Sequence, residues 1–144
     1  MKVSERIQVI LAGCHTLIKP EKELIGDQAE LRFFKLTKWR YSPLEKQALS
    51  PSKKLTVRMV SVFQFKSELK RMSSVVEVHK IGEGAFRKRR VLCKGAPEII
   101  KGLLKEVPDK FDIRFRKLSS KGYRVLALAY KDLDEKVDVY DYTR

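Results

Sequence analysis

The order of apolar and polar residues along the chain predicts two helices at its N-terminal end. Apolar residues recur with a period near 3.6 after Ser4, and this spacing predicts a helix that reaches Leu17 and is ended by Pro20. A second helix is predicted over residues 28–38, with Asp27 as its N-cap. Both helices have an apolar side, so each is expected to pack against another element.

Strands are predicted to follow these helices. Residues 41–54 contain two Ser-Pro pairs and predict a polar surface connection. The period then changes to two, which predicts a strand over 55–65 and a second over 70–81. A glycine-containing turn leads into a third, antiparallel strand over 86–93. A further strand is predicted for the continuous apolar run 123–130.

Two more helices are predicted between the third and fourth strands. Pro97 suits the first turn of a helix that extends through Leu104. Another helix begins at Asp109 or Asp112 and ends before Gly122. The elements together predict an α+β fold, a mostly antiparallel sheet flanked by helices.

Composition narrows the class of protein without choosing a partner. The 144 residues suit one domain, and no apolar run approaches the length needed to span a bilayer. Lys and Arg exceed Asp and Glu by 32 to 18, a net charge of +14, which favours an anionic partner. The basic residues are scattered apart from the run 87–90. The two cysteines, Cys14 and Cys93, are expected to be reduced and largely buried.

Candidate chemistry is confined to three short stretches. The chain has no phosphate loop of the GxxxxGK[ST] kind, no GxGxxG and no HExxH or GxSxG motif. Each stretch taken alone also has a plain explanation as a turn between elements. Together they carry an aromatic ring and cations that would suit a base and phosphates at one end of the sheet. These side chains are Phe65, Lys70, Lys94 and Arg124.

Five stretches resemble motifs of the nucleotide-binding domain of P-type ATPases, in the order of that family. The family motifs are C-H-S-L, G-D-P-x-E, F-S-x-x-x-K-R-M-S, K-G-A-P-E and G-x-R-V-L-A-L-A. The matching stretches are CHTL at 14–17, GDQAE at 26–30, FKSELKRMS at 65–73, KGAPE at 94–98 and GYRVLALA at 122–129. Lys66 stands where a serine is usual, and Gln28 where a proline is usual.

The resemblance implies that this domain binds ATP with Mg²⁺. Phe65 would stack on adenine, Glu30 would face the adenine side of the cleft, and Lys94 would lie beneath the base. Lys70 would also line the pocket, and Arg124 would contact the phosphates. The implied nucleotide-binding residues are Glu30, Phe65, Ser67, Lys70, Lys94, Gly95 and Arg124. Mg²⁺ would arrive with ATP and take its protein ligands mainly from outside this chain, in which we expect no catalytic residue.

The resemblance also implies how the domain works within a larger protein. Residues 1–131 would form the nucleotide-binding domain and 132–144 a charged connection. The family's D-K-T-G-T phosphorylation motif does not occur, so the isolated chain is expected to bind ATP without hydrolysing it. Its partners would be the phosphorylation domain, the actuator domain and the membrane helices of the same full-length pump, and not nucleic acid.

The finer resemblance is to the type-five class of P-type ATPases, which are 13A-like cation-transporting ATPases of eukaryotic internal membranes. Glu30, where the endolysosomal branch often has aspartate, favours the branch of the endoplasmic reticulum, with an endolysosomal or vacuolar membrane as second choice. Two other hypotheses remain open from the residues alone. One is a basic module that binds single-stranded nucleic acid through residues 87–90, and the other is a regulatory adaptor with a degenerate nucleotide fold. Both leave the ordered motifs unexplained.

Overall fold

The computed structural model describes residues 3–85 and 87–134, which form one antiparallel sheet with helices on its faces. The helices are α1 (Glu5–Gly13), α2 (Gln28–Thr37), α3 (Pro97–Leu103) and α4 (Phe111–Ser120). The strands are β1 (Arg40–Ser42), β2 (Gln47–Leu49), β3 (Leu55–Lys66), β4 (Arg71–Lys80), β5 (Arg87–Gly95) and β6 (Ala127–Asp132). The predicted α+β class is confirmed.

The sheet has the order β1-β2-β3-β4-β5-β6, so every strand pairs with its neighbour in the chain. All five pairings are antiparallel. The register between β3 and β4 shifts twice, once after Met59 and once after Phe63. The second shift interrupts the alternation of faces close to the end of β3. This end of the sheet carries the site described below.

The core lies between one face of the sheet and the helices α1 and α2. Gly13 ends α1 directly above the sheet, where an added Cβ would lie 2.7 Å from Val57 and 2.9 Å from Leu92. Only a residue without a side chain allows the helix to come this close. Phe34 of α2 and the adjoining Trp39 complete the same cluster. This packing fixes the connection between α1 and α2 relative to the strands.

The structure differs most from the prediction at the end of α1, in residues 41–54 and at the start of the last strand. The helix α1 ends at Gly13 instead of continuing to Leu17, and Leu17 is buried from the connection that follows. Residues 41–54 contain the short strands β1 and β2, which bury Tyr41 and Ala48. Three-residue strands are too short to show a period of two, so the sequence pattern missed them.

The last strand begins later than the apolar run does. Its first pair joins Ala127 to Gly95, the last residue of β5. Because the chain turns into α3 after Gly95, β5 offers residues 123–126 no further pairing positions. Residues from 135 onward, most of the predicted charged connection, lie outside the described residues, as does Phe86, predicted to begin the third strand. In the described ranges the longest helices have ten residues, and none is long and apolar enough to cross a bilayer.

Candidate functional site

A cavity of about 550 Å³ opens at the end of the sheet where β3 and β5 finish. Its walls come from six separate parts of the chain: the α1–α2 connection, α2, β3, β4, β5 and the segment before β6. Five of the seven residues proposed from the sequence line it. These five are Glu30, Phe65, Lys94, Gly95 and Arg124.

Phe65 supplies an aromatic wall that solvent and ligands can reach. The residue is 57% exposed, which is unusual for a large apolar residue within a strand. Gln64 also lines the cavity although successive strand residues normally face opposite sides. The register shift after Phe63 removes that alternation. The bulged end of β3 therefore directs two consecutive residues toward one space.

A buried ion pair forms part of the cavity lining. Lys94 Nζ lies 2.6 Å from Glu30 Oε1, and the two side chains are only 9% and 11% exposed. On the strands beside β5, Met72 and Leu128 are the residues paired with Lys94. The ammonium thus lies among apolar neighbours, where an unpaired charge is costly. Glu30 compensates that charge.

Glu30 is itself held from two sides. Asp27 caps α2 by accepting hydrogen bonds from the backbone amides of Ala29 and Glu30, at 3.0 and 3.1 Å. Glu30 therefore lies in the first helical turn, where the positive end of the helix dipole favours a carboxylate. Its second oxygen, Oε2, accepts from both the backbone N–H and the hydroxyl of Thr16, each at 3.1 Å. The carboxylate thus has donors on both oxygens.

His15 anchors the connection that carries Thr16. Its ring makes edge contacts with Phe34 and Tyr41, and Nδ1 accepts the backbone N–H of Leu17 at 3.1 Å. Burial lowers the pKa of His15 to about 4, so the ring is neutral near pH 7. The other nitrogen, Nε2, is buried and has no hydrogen-bond partner among residues 3–85 and 87–134. Sequence reasoning gave neither His15 nor Thr16 a role, and only their place in the 14–17 motif indicated one.

Gly95 is required by a close approach of two backbones. A Cβ at this position would collide with the carbonyl oxygen of Lys70 and lie 2.8 Å from the Cα of Arg71. The same carbonyl accepts the N–H of Ala96 at 3.0 Å. Lys70 ends the tight turn between β3 and β4 with a φ of 50°. Its backbone thus supports the cavity, but the lining includes neither Lys70 nor Ser67, which belongs to the same turn.

Arg124 contributes to the lining from the segment between α4 and β6. The chain reaches it through Gly122, whose φ of 80° allows the turn after α4. Arg124 is exposed, so its guanidinium can pair with a negatively charged group of a ligand that enters from solvent. Met72 and Leu126 add apolar surface to the lining, so the site is not purely ionic. The cavity therefore combines an aromatic face, apolar surface and cations.

Three of the four cations in the basic run 87–90 form ion pairs with two carboxylates. Arg90 and Lys88 lie 2.6 and 2.9 Å from the two oxygens of Asp132. Arg89 lies 3.7 Å from Glu77, which also pairs with Arg58 at 2.7 Å. Much of the charge that suggested a nucleic-acid surface is engaged within the sheet.

Neither cysteine nor any acidic cluster indicates metal or thiol chemistry in the described ranges. Cys14 and Cys93 are both free thiols, and burial raises the pKa of Cys14 to about 12. Over residues 3–85 and 87–134, no three His, Cys, Asp or Glu side chains come together as ligands for a metal ion.

Comparison with known proteins gives a family match over most of the chain. Residues 14–144 match the family model described as "P-type ATPase, cytoplasmic domain N". The chain is 35% identical to the "Probable manganese-transporting ATPase PDR2" of Arabidopsis thaliana, over 93% of this chain and 11% of that protein. It is 35% identical to the "Endoplasmic reticulum transmembrane helix translocase spfA" of Aspergillus fumigatus, over 91% of this chain and 11% of that protein.

A human protein, the "Polyamine-transporting ATPase 13A3", is 29% identical over 95% of this chain and 14% of its own length. The similarity thus covers nearly all of this sequence. The chain spans only about a tenth of the length of the curated relatives that it matches. The comparisons consequently bear on one domain of proteins that are much longer.

Proposed function

Because this chain belongs to the family of the P-type ATPase cytoplasmic domain N, we propose that its cavity binds ATP. One observation carries the proposal: Phe65, the Glu30–Lys94 pair and Arg124 come from distant parts of the chain and line a single cavity. An exposed aromatic ring suits a base, and a guanidinium suits phosphates.

The base would bind at the Phe65 side of the cavity. Stacking on one aromatic side chain contributes about 1–3 kcal/mol per base. The Lys94 ammonium has three N–H donors, and Glu30 accepts a hydrogen bond from one of them. The ammonium can therefore also donate to a ring nitrogen of the base. Met72 and Leu126 would contact the apolar faces of the nucleotide.

The phosphates would lie toward Arg124, with Mg²⁺ bound to them. The two carboxylates of the lining are Asp27 and Glu30, and each already accepts at least two hydrogen bonds within the protein. This lining fits a nucleotide whose magnesium takes its remaining protein ligands from elsewhere. The ion would supply charge neutralisation on the phosphates.

In the intact protein, we propose that this domain holds Mg-ATP for transfer of the γ-phosphate to an aspartate on a separate domain. The whole protein would then be an ATP-hydrolysing pump or translocase of the type-five class. Residues 1–131 would bind the nucleotide, and later residues would connect to the phosphorylation domain, the actuator domain and the membrane helices. The domain would lie in the cytosol.

The membrane that holds the whole protein is proposed from its relatives. The translocases of Aspergillus fumigatus and Schizosaccharomyces pombe, 35% and 37% identical, carry the endoplasmic reticulum in their names. We therefore favour that membrane and keep an endolysosomal or vacuolar membrane as second choice.

Calorimetric titration of this chain with Mg-ATP tests the proposal. We expect micromolar to millimolar affinity, and Phe65→Ala should weaken binding roughly 5- to 150-fold if one stacking ring is removed. Tyr130→Ala is the matched control, because Tyr130 is an exposed aromatic residue outside the cavity lining. Equal affinity of Phe65→Ala and the parent chain would refute the assignment of the base.

A further inference from the structure

We propose that Thr16 is a positioning residue for base selection: it orients Glu30 so that the site prefers adenine over guanine. This inference rests on the proposed ATP site. It assigns a role to a residue that is not itself charged or aromatic and that lies outside the seven residues named from the sequence.

Thr16, an exposed loop residue, contacts Glu30 through both of its hydrogen-bond donors. The backbone N–H and the side-chain hydroxyl of Thr16 both donate to Oε2 of Glu30, each at 3.1 Å. Oε1 of the same carboxylate receives the Lys94 ammonium at 2.6 Å. The carboxylate plane is therefore fixed by three donors. A packing role alone would need only the methyl group of Thr16.

The connection that carries Thr16 is firmly placed. His15 and Leu17 on either side are 2% and 3% exposed. Ile18 and Ile25 exchange two backbone hydrogen bonds, at 3.0 and 2.8 Å, and close the loop between them. Thr16 is thus an exposed residue between two buried anchors, and its two donors cannot easily turn away from Glu30.

The orientation of Glu30 matters because adenine and guanine differ at one edge. Adenine presents an amino group, a donor, where guanine presents the carbonyl oxygen O6, an acceptor. With three donors in place, the carboxylate retains the capacity to accept about one more hydrogen bond, as an ionised carboxylate has about four acceptor positions. It can accept from the adenine amino group but repels the guanine oxygen. A carboxylate free to rotate would lose that discrimination.

Two variants separate the hydroxyl from the shape of the side chain. Thr16→Val keeps the branched shape but removes one of the two donors to Oε2, whereas Thr16→Ser keeps the hydroxyl. A hydrogen bond to a charged group has enough energy for us to expect the ratio of ATP to GTP affinity to fall roughly 5- to 20-fold in Thr16→Val. Thr16→Ser should stay within about 2-fold of the parent ratio.

The experiment is calorimetric titration of the parent chain and both variants with Mg-ATP and Mg-GTP, with thermal unfolding of each protein as a check of folding. The proposal is supported if Thr16→Val lowers the ratio of affinities, mainly through ATP, while Thr16→Ser preserves it. It is overturned if Thr16→Val leaves the ratio unchanged or weakens both nucleotides equally. If the valine variant does not fold, Thr16→Ala is interpreted in the same way.

The outcomes for the parent chain distinguish this proposal from the proposed function. A parent chain that binds ATP and GTP equally refutes the role of Thr16 in base selection but leaves nucleotide binding intact. A parent chain that binds neither nucleotide refutes the ATP site, and the role of Thr16 with it.

Discussion

Breaking the Glu30–Lys94 pair should destabilise the fold, because each charge compensates the other inside the protein. Lys94→Met removes the ammonium and leaves a side chain of similar length beside Met72 and Leu128. Glu30 then keeps its charge at 11% exposure, and its carboxylate retains the two donors of Thr16. Breaking a buried pair typically costs 3–5 kcal/mol. Since Thr16 still stabilises the carboxylate, we expect about 3 kcal/mol, the lower end of that range.

Removing both charges together should cost much less than the sum of the two single changes. Glu30→Gln leaves the Lys94 ammonium facing a neutral amide, at a cost that we also expect to be about 3 kcal/mol. The double variant Glu30→Gln with Lys94→Met has no uncompensated charge. The coupling energy from the double-mutant cycle should therefore be roughly 2 kcal/mol or more.

Urea unfolding followed by tryptophan fluorescence measures these energies directly. Trp39 is the single tryptophan of the chain and is 6% exposed, so its emission reports loss of the core. The control cycle uses Lys101 and Asp112, whose side chains are 41% and 49% exposed in their ion pair. That pair should show a coupling below about 1 kcal/mol. If Glu30 and Lys94 prove additive within about 0.5 kcal/mol, the pair is not a buried one in solution.

Two further predictions concern His15 and Gly95. Because the pKa of His15 is lowered to about 4 from an ordinary value of 6.5, the unfolded chain takes up the proton first, and stability falls as the pH drops from 6.5 to 4. The loss due to His15 should approach about 3 kcal/mol. This part of the loss should be absent from His15→Asn, which keeps an acceptor for the Leu17 N–H. If urea unfolding shows that parent and variant lose the same free energy of unfolding between pH 7 and 4.5, the prediction is contradicted. Gly95→Ala should destabilise by roughly 2–3 kcal/mol, because its Cβ would meet backbone atoms of Lys70 and Arg71. In Gly102→Ala, where an added Cβ would meet no described atom within 4 Å beyond its own helix backbone and chain neighbours, thermal unfolding should show equal or higher stability.

The fold was predictable where the sequence pattern was long. The strands β3, β4 and β5 have nine to twelve residues each, so their period of two was visible in the sequence. The strands β1 and β2 have three residues each and showed no such pattern. The end of α1 was missed because Leu17 continues the apolar spacing although it packs from a loop. Tertiary packing fixed that boundary.

The lining of the cavity was predictable from motifs where the motif residue itself reaches the cavity. Phe65, Lys94 and Arg124 are such residues. Ser67 and Lys70 lie in a motif that the cavity uses through its backbone, since the carbonyl of Lys70 supports Ala96 and abuts Gly95. The roles of Thr16 and His15 depend on hydrogen bonds across 14 residues and on ring contacts. No linear pattern encodes these distances.

Backbone amide spectra recorded during titration with Mg-ATP test most directly whether the cavity is the nucleotide site. If the cavity binds the nucleotide, the largest changes will occur at Thr16, Glu30, Phe65, Lys94 and Gly95, with little change at 81–85, in the turn between β4 and β5. Changes concentrated at the basic run 87–90, or none at millimolar ATP, would contradict it.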